Sequence, residues 1–205
     1  MKANISEVSG EYVIDPDGVQ GENPITVYSD MLDQGGVGVT VVSHDSGSRT
    51  HFTGVNNDDN YKRDIQYIGS SFSQLAGPTE ASTNCHQFIK YECKKSKLKD
   101  NQAYWRSRDG AKMTYWGGAS YGNRCACGMT NSCADPVEGC NCDKNDSTWR
   151  EDSGLLTDKS HLPASQLWFG DTGDDGEEGY HGKIKVLWNE LILWDNNRLA
   201  TIHLL

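Results

Sequence analysis

The sequence predicts an α+β fold, on three observations. Short runs of alternating or β-branched apolar residues mark strands, one stretch has helical periodicity, and long polar, Gly-containing segments separate them. In chain order, residues 11–14 form a first short strand. It ends at Asp15-Pro16-Asp17-Gly18, where Pro fixes φ and Gly tolerates the positive φ of a turn. Residues 25–31 alternate as a second strand, and residues 37–43 are β-branched enough for a third. Residues 44–60 are polar and Gly-containing, which predicts a loop. Within 70–82, Phe72, Leu75, Ala76 and Thr79 fall on one helical face, interrupted by Pro78. From Cys85 to Cys93 the period switches to two, placing Cys85, Gln87, Ile89, Tyr91 and Cys93 on one strand face.

Residues 104–108 predict a further strand, closed by the hairpin pair Asp109-Gly110. Residues 114–121 are aromatic and Gly-rich, and residues 124–146 form a cysteine-rich loop. A strand follows at 162–169 and an acidic Gly-containing loop at 171–182. Residues 183–205 hold two apolar runs around Asp195-Asn196-Asn197, as in a hairpin. No internal repeat is visible.

The 205 residues suffice for one sizeable core. Only 36% are hydrophobic and 22 are Gly, so much of the chain must be turn and loop. Six Trp and nine Tyr offset the shortage of aliphatic side chains, because each buried aromatic removes a large apolar area from water. The net charge of −10 opposes nucleic-acid binding, which needs concentrated Lys and Arg. The short basic run of Lys94, Lys95, Lys97 and Lys99 reads as a solvated loop. No segment approaches the roughly 18 apolar residues of a membrane span. Residues 1–10 lack the apolar core of a signal peptide, and the chain reads as a fragment or an incomplete gene product.

Seven cysteines occur: Cys85, Cys93, Cys125, Cys127, Cys133, Cys140 and Cys142. Five crowd a stretch too rich in Gly, Asn and Asp to order itself by apolar burial, so a disulfide framework is expected there. The spacings lack the paired C-x2-4-C elements of structural zinc. Spacing leaves the connectivity open, and the odd count leaves one thiol over. Disulfides in turn imply an oxidising, extracellular compartment.

Catalysis is not expected. Gly118-Ala119-Ser120-Tyr121-Gly122 has the G-x-S-x-G form, but a nucleophile elbow needs a strand before it and a helix after it. The six histidines make no close ligand pair, and His161 reads as a packing or hydrogen-bonding residue. Two acidic runs offer hard oxygens for calcium: Asp143, Asn145, Asp146 and Ser147, and Asp171, Asp174, Asp175, Glu177 and Glu178. Neither follows the EF-hand pattern; no cofactor is expected, with calcium at the first run as the one candidate. Asn4-Ile5-Ser6 and Asn145-Asp146-Ser147 are glycosylation sequons, placing Asn4 and Asn145 as acceptors in a secreted chain.

The ordered run of these pieces resembles a known family. Ser9-Gly10-Glu11-Tyr12-Val13-Ile14-Asp15-Pro16-Asp17-Gly18 and Pro24-Ile25-Thr26-Val27-Tyr28-Ser29-Asp30-Met31 are similar to the entry of a fibrinogen C-terminal domain. Gln74-Leu75 and the Cys85–Cys93 strand continue it. Tyr115-Trp116-Gly117-Gly118, Cys125-Ala126-Cys127-Gly128, Cys133-Ala134-Asp135 and Cys140-Asn141-Cys142-Asp143 are sharper. With Trp149, Gly154-Leu155-Leu156 and His161-Leu162-Pro163, they resemble the fibrinogen-like module of the contactin-associated protein and neurexin IV family. The likeness spans roughly residues 9–182 of a single 1–205 domain.

The resemblance implies a twisted antiparallel sheet with short helices and long disulfide-linked loops. It also implies a non-catalytic, extracellular protein-binding module of a cell-adhesion protein, with extracellular or cell-surface proteins as partners. The nearest alternative is a secreted fibrinogen-related lectin of innate immunity that takes acetylated sugars with calcium. In those lectins the acidic run precedes a cysteine pair, whereas Asp143 to Ser147 follow the cysteines. This sequence also departs from the family. A cysteine before the first strand is absent and Ser29 replaces its counterpart, a pair worth about 2–4 kcal/mol. Val186 stands near the place of a late cysteine, which would account for the spare thiol. The tail from Leu187 to Leu205 has no family likeness and reads as read-through, an exon variant or the start of another module. Tyr115, Trp116 and Tyr121 are the candidate binding surface, since Trp and Tyr anchor interfaces. For Trp116 the alternative is a core position between the cysteine-rich loops.

Overall fold

A computed structural model describes residues 9–15, 21–30, 39–56, 61–182, 184–191, 194, 195, 198, 199, 203 and 204. The chain is mostly antiparallel β-structure. Strand β1 (Gly10–Ile14) pairs with β2 (Ile25–Asp30), and β2 pairs with β3 (Val39–Val42). Alternation puts Tyr12, Ile14, Ile25, Val27 and Val42 inside. Residues 16–18 of the expected first turn lie outside the described residues, as do Met31 and residues 37 and 38.

Helix α1 (Phe72–Ala81) opens with a capping box: Gln74 N donates to Ser71 Oγ, and Ser71 N donates to Gln74 Oε1. The chain passes from α1 straight into β6 (Ser82–Lys94), the longest strand. Cys85, Gln87, Ile89, Tyr91 and Cys93 share its buried face, as the period predicts.

Strand β6 is the spine of a nine-stranded sheet. On one edge run β11 (Glu178–His181) and then β12 (Lys185–Leu191); on the other runs β9 (Arg150–Leu156). The register shows this directly, since Gln87 faces both Val186 and Leu156, and Tyr91 faces both His181 and Asp152. Strand β4 (Thr50–Phe52) extends the sheet beyond β11, and β3 pairs with β12.

A second sheet stacks β5 (Tyr61–Asp64), β10 (Gln166–Phe169), β7 (Ala103–Arg106) and β8 (Lys112–Met113) in that order. Asp109-Gly110 turns the β7–β8 hairpin, with Gly110 at φ 81°. The core lies between the sheets. Phe169 stacks on Tyr91 at 4.9 Å and on Phe52 at 5.0 Å, and Trp105 donates its indole N–H to Tyr115 O at 2.8 Å. Gln87, wholly buried, is satisfied: it donates to Tyr67 Oη at 3.0 Å and accepts from Ala164 N at 2.7 Å.

Four expectations need correction. Residues 44–60 contain β4, and residues 171–182 contain β11, although both segments looked like loop. Each strand is short and polar, and only pairing with a neighbour defines it. Strands β5 and β9 had no signal strong enough to expect. The strand expected at 162–169 begins only at Gln166. The tail expected to stand apart from Leu187 onward begins inside the sheet: β12 lies between β3 and β6, with Val186 and Trp188 wholly buried. Ile184, Val186 and Trp188 alternate at the strand period, which is what draws this segment inside. Beyond it, β13 (Trp194–Asp195) and β14 (Arg198–Leu199) pair as the expected hairpin, and β15 (His203–Leu204) pairs with β1.

Six cysteines are bridged, as Cys93–Cys142, Cys125–Cys140 and Cys127–Cys133. The last two fasten the loop around the short helix α2 (Ala126–Thr130), and the first ties that loop to β6. Cys85 is the free thiol, which corrects its expected place in the framework. It stands opposite Trp188 in the sheet, while Val186 faces Gln87. Burial pushes the Cys85 thiol up to about 11, outweighing hydrogen bonds with Thr79 and Trp188. Ser29 is buried and shares a hydrogen bond with Thr40 at 2.8 Å.

Two glycines fix how the loop before α2 meets β9. A Cβ at Gly117 would lie 2.4 Å from Gly154 O, and one at Gly154 would lie 2.6 Å from Gly117 C. This close approach lets Gly118 N donate to Leu155 O and the Trp116 indole donate to Asp152 O. Gly154→Ala is expected to cost about 1–3 kcal/mol through overpacking of backbone on backbone. Urea unfolding measures it, and an unchanged midpoint would mean the loop can retreat freely.

Candidate functional site

The inner face of the large sheet is covered by the second sheet and α1. Its outer face carries the alternate residues of the same strands. One cross-strand row there is His51 on β4, Tyr180 on β11, Glu92 on β6 and Glu151 on β9. The row above it pairs Glu178 with Lys94.

Arg49, just before β4, lies with its guanidinium 3.3 Å from the Tyr180 ring centroid and donates to Glu92. The His51 ring sits 4.6 Å from Tyr180 on one side, and Trp149, just before β9, sits 5.4 Å from it on another. Lys94 is 5.9 Å from the Trp149 ring and 3.1 Å from Glu178, which also meets His51 at 3.2 Å. Lys90 bridges Glu92 at 2.7 Å and Glu151 at 2.5 Å. Burial alone would raise the Glu92 carboxyl, but hydrogen bonds from Lys90 and Arg49 outweigh it and hold it low.

The charges in this cluster are therefore paired, and the aromatic rings are held in place by cations. Trp149 remains 44% exposed. The depression beneath Arg49, lined by Lys90, Glu92, Tyr180, His181 and Gly182, has a cavity volume of only about 10 Å³. That is below the ~300 Å³ at which small-molecule sites begin. The arrangement suits a broad protein contact with Trp, Tyr and Arg at its centre, the residue types that carry most interface energy.

The residues singled out by sequence lie elsewhere. Tyr115 and Trp116 are buried, Trp116 at 2% exposure, so neither forms a surface. Trp116 packs on Tyr91 and Phe169 in the core, the alternative position for it. Tyr121 is 58% exposed, with Arg124 5.9 Å from its ring. Ser120 lies in an exposed turn with neither a strand before it nor a helix directly after it.

The acidic runs do not converge. Asp143 is buried and accepts from Leu98 N at 3.0 Å and Lys99 N at 2.9 Å, while Asp146 pairs with Arg150 at 2.6 Å. Asn145 and Ser147 are exposed, Asn145 in the left-handed region at the end of a 3-10 turn, Cys142–Lys144. In the second run, Asp171 accepts from Lys97 N, Glu177 from Asp174 N, and Glu178 binds Lys94. Among the described residues, the one grouping of three possible metal-ligating side chains is Cys125, Cys140 and Asp152, and its two cysteines are bonded to each other. The Asn4 sequon lies outside the described residues.

Sequence reasoning missed Arg49, His51 and Tyr180, because it placed them in loops. The solvent-side alternation around Tyr180 was the available signal, too short at four residues to stand alone.

No protein-family model matches the chain. It is 39% identical over 176 residues to contactin-associated protein 1 of Rattus norvegicus, covering 83% of this chain and 13% of that protein. The Homo sapiens contactin-associated protein 1 is 37% identical over 178 residues, covering 84% of this chain and 13% of that protein. Neurexin-4 of Drosophila melanogaster is 32% identical over 175 residues, covering 80% and 14%. The chain thus spans 13–14% of the length of these relatives.

Proposed function

From the premise that the chain is homologous to one segment of contactin-associated protein 1 and of neurexin-4, we propose that it is a non-catalytic, extracellular protein-binding module of the cell-adhesion type. We assign it the fibrinogen C-terminal-like fold. Its binding surface is the outer face of the large sheet, centred on Arg49, His51, Trp149 and Tyr180. One observation carries this reading: a Trp and an Arg stand exposed around a Tyr on a sheet face that no other element covers among the described residues. Three disulfides support the oxidising compartment. The name of one relative supplies the partner to try first, contactin. Asn145, exposed in the turn that precedes β9, is the proposed glycan acceptor.

The test is binding of immobilised contactin to the secreted chain, measured by surface plasmon resonance. Arg49→Ala with Trp149→Ala should weaken binding about 30-fold or more, the effect of losing at least 2 kcal/mol at a hot spot. Tyr121→Ala, remote in the cysteine-rich region, should leave it unchanged. Loss in the Tyr121 variant with retention in the double variant would move the surface to the loop and overturn the assignment.

A further inference from the structure

The second sheet has an outer face of a different character. Leu167, Phe169 and Trp105 point inward and are wholly buried. Their neighbours point outward in two cross-strand rows, Lys62–Trp168–Tyr104 and Asp64–Gln166–Arg106–Lys112. The Trp168 and Tyr104 rings stack, with centroids 5.5 Å apart and planes 11° from parallel. Cations rest over this pair. Lys112 Nζ is 4.0 Å from the Tyr104 centroid, and the Arg106 guanidinium is 5.8 Å from Tyr104 and 5.7 Å from Trp168. Lys62 is 6.0 Å from Trp168.

The contrast with the large sheet lies in the counter-charges. There, Arg49, Lys90 and Lys94 all meet carboxylates. Here Lys62 meets Asp64 at 2.9 Å, but among the described residues Arg106 and Lys112 have no carboxylate partner. Arg106 instead donates to Gly110 O at 2.6 Å, which fixes its orientation. Two adjacent cations are thus held in place without neutralisation, on a chain of net charge −10. Burial and the neighbouring Arg106 hold Lys112 below the usual lysine range, as expected when nothing offsets the repulsion.

We propose that this strip, Arg106 and Lys112 with Lys62 at its margin, binds a sulfated polysaccharide. The occupant follows from charge and shape. Arg106 and Lys112 are cross-strand partners on β7 and β8, so they suit a linear polyanion whose sulfates reach the two cations in succession. Arg can take a sulfate through two N–H donors, and Lys as a point charge. A planar anionic membrane fits less well, since it would also repel a chain whose net charge is −10.

The experiment is binding of the whole folded chain to heparin, read by affinity chromatography and by calorimetry with a heparin oligosaccharide. Wild-type protein should be retained and should elute with salt. Arg106→Gln with Lys112→Gln should weaken binding about tenfold or more, and the slope of log affinity against log salt should fall by roughly 2. Lys95→Gln with Lys97→Gln, on the basic run, should change neither. If the first pair fails to fold by near-ultraviolet circular dichroism, Lys112→Gln alone is the readout, since that side chain is exposed. Any of four results overturns the proposal: no retention of the wild type; full affinity in Lys112→Gln; loss confined to the Lys95 and Lys97 variant; or equal binding to desulfated heparin. Binding to phosphatidylserine vesicles without binding to heparin would assign the strip to membranes instead.

Discussion

Removing the Cys93–Cys142 bridge by a double alanine substitution is expected to lower the unfolding free energy by about 4 kcal/mol. These residues are 49 apart, so the bridge closes the longest loop of the three and most restricts the unfolded chain. The same substitution at Cys127 and Cys133, only 6 apart, should cost about 2 kcal/mol. Guanidinium unfolding of the two variants against wild type checks the ranking. Equal losses would mean that the bridges act through native packing rather than through the unfolded chain. Cys85 supplies an internal control. Buried and unbridged, it should be the one thiol that takes up iodoacetamide when the unreduced protein is denatured, and it should resist the reagent in the native state.

The second large effect is expected at Asp152. Its carboxylate is 3% exposed and accepts from Asn141 N at 3.0 Å and Cys142 N at 2.8 Å, so it anchors the end of the cysteine-rich loop to β9. Burial raises its pKa to about 7, against the opposing pull of those two amides, with Asp143 adding repulsion. The folded state therefore holds a proton that the unfolded state releases near the ordinary value of about 4. Its contribution to stability is full below that value and falls as pH rises toward 7. Relative to Asp152→Asn, which does not titrate there, wild type should lose on the order of 4 kcal/mol between pH 4 and 8. Thermal unfolding of both proteins across that range measures the difference. Parallel curves would mean that the two amide donors already hold the carboxylate ionised.

The sequence made some of this legible and hid the rest for identifiable reasons. Strand β6 was visible because five buried side chains recur at period two over nine residues, a signal that survives without knowing the neighbours. The apolar face of α1 was equally local. Strands β4 and β11, of three and four residues, were not visible. β11 owes its existence to pairing with β6, and β4 to pairing with β11, and their polar outer residues imitate loop. The proposed binding surface was lost with them, since Arg49, His51 and Tyr180 occupy just those segments. Trp116 stood open between surface and core, and the Gly117–Gly154 approach decides for the core: it folds that stretch against β9 and buries the ring.

By itself the sequence determined that cross-links must order a loop with too little apolar surface, and it located the cysteines that make them. Their partners, and the identity of Cys85 as the thiol left over, were decided only when β6 brought Cys93 beside Cys142 and set Cys85 opposite Trp188. Spacing along a chain limits which contacts are possible, but which of them form depends on strand register, and register is a property of the assembled sheet.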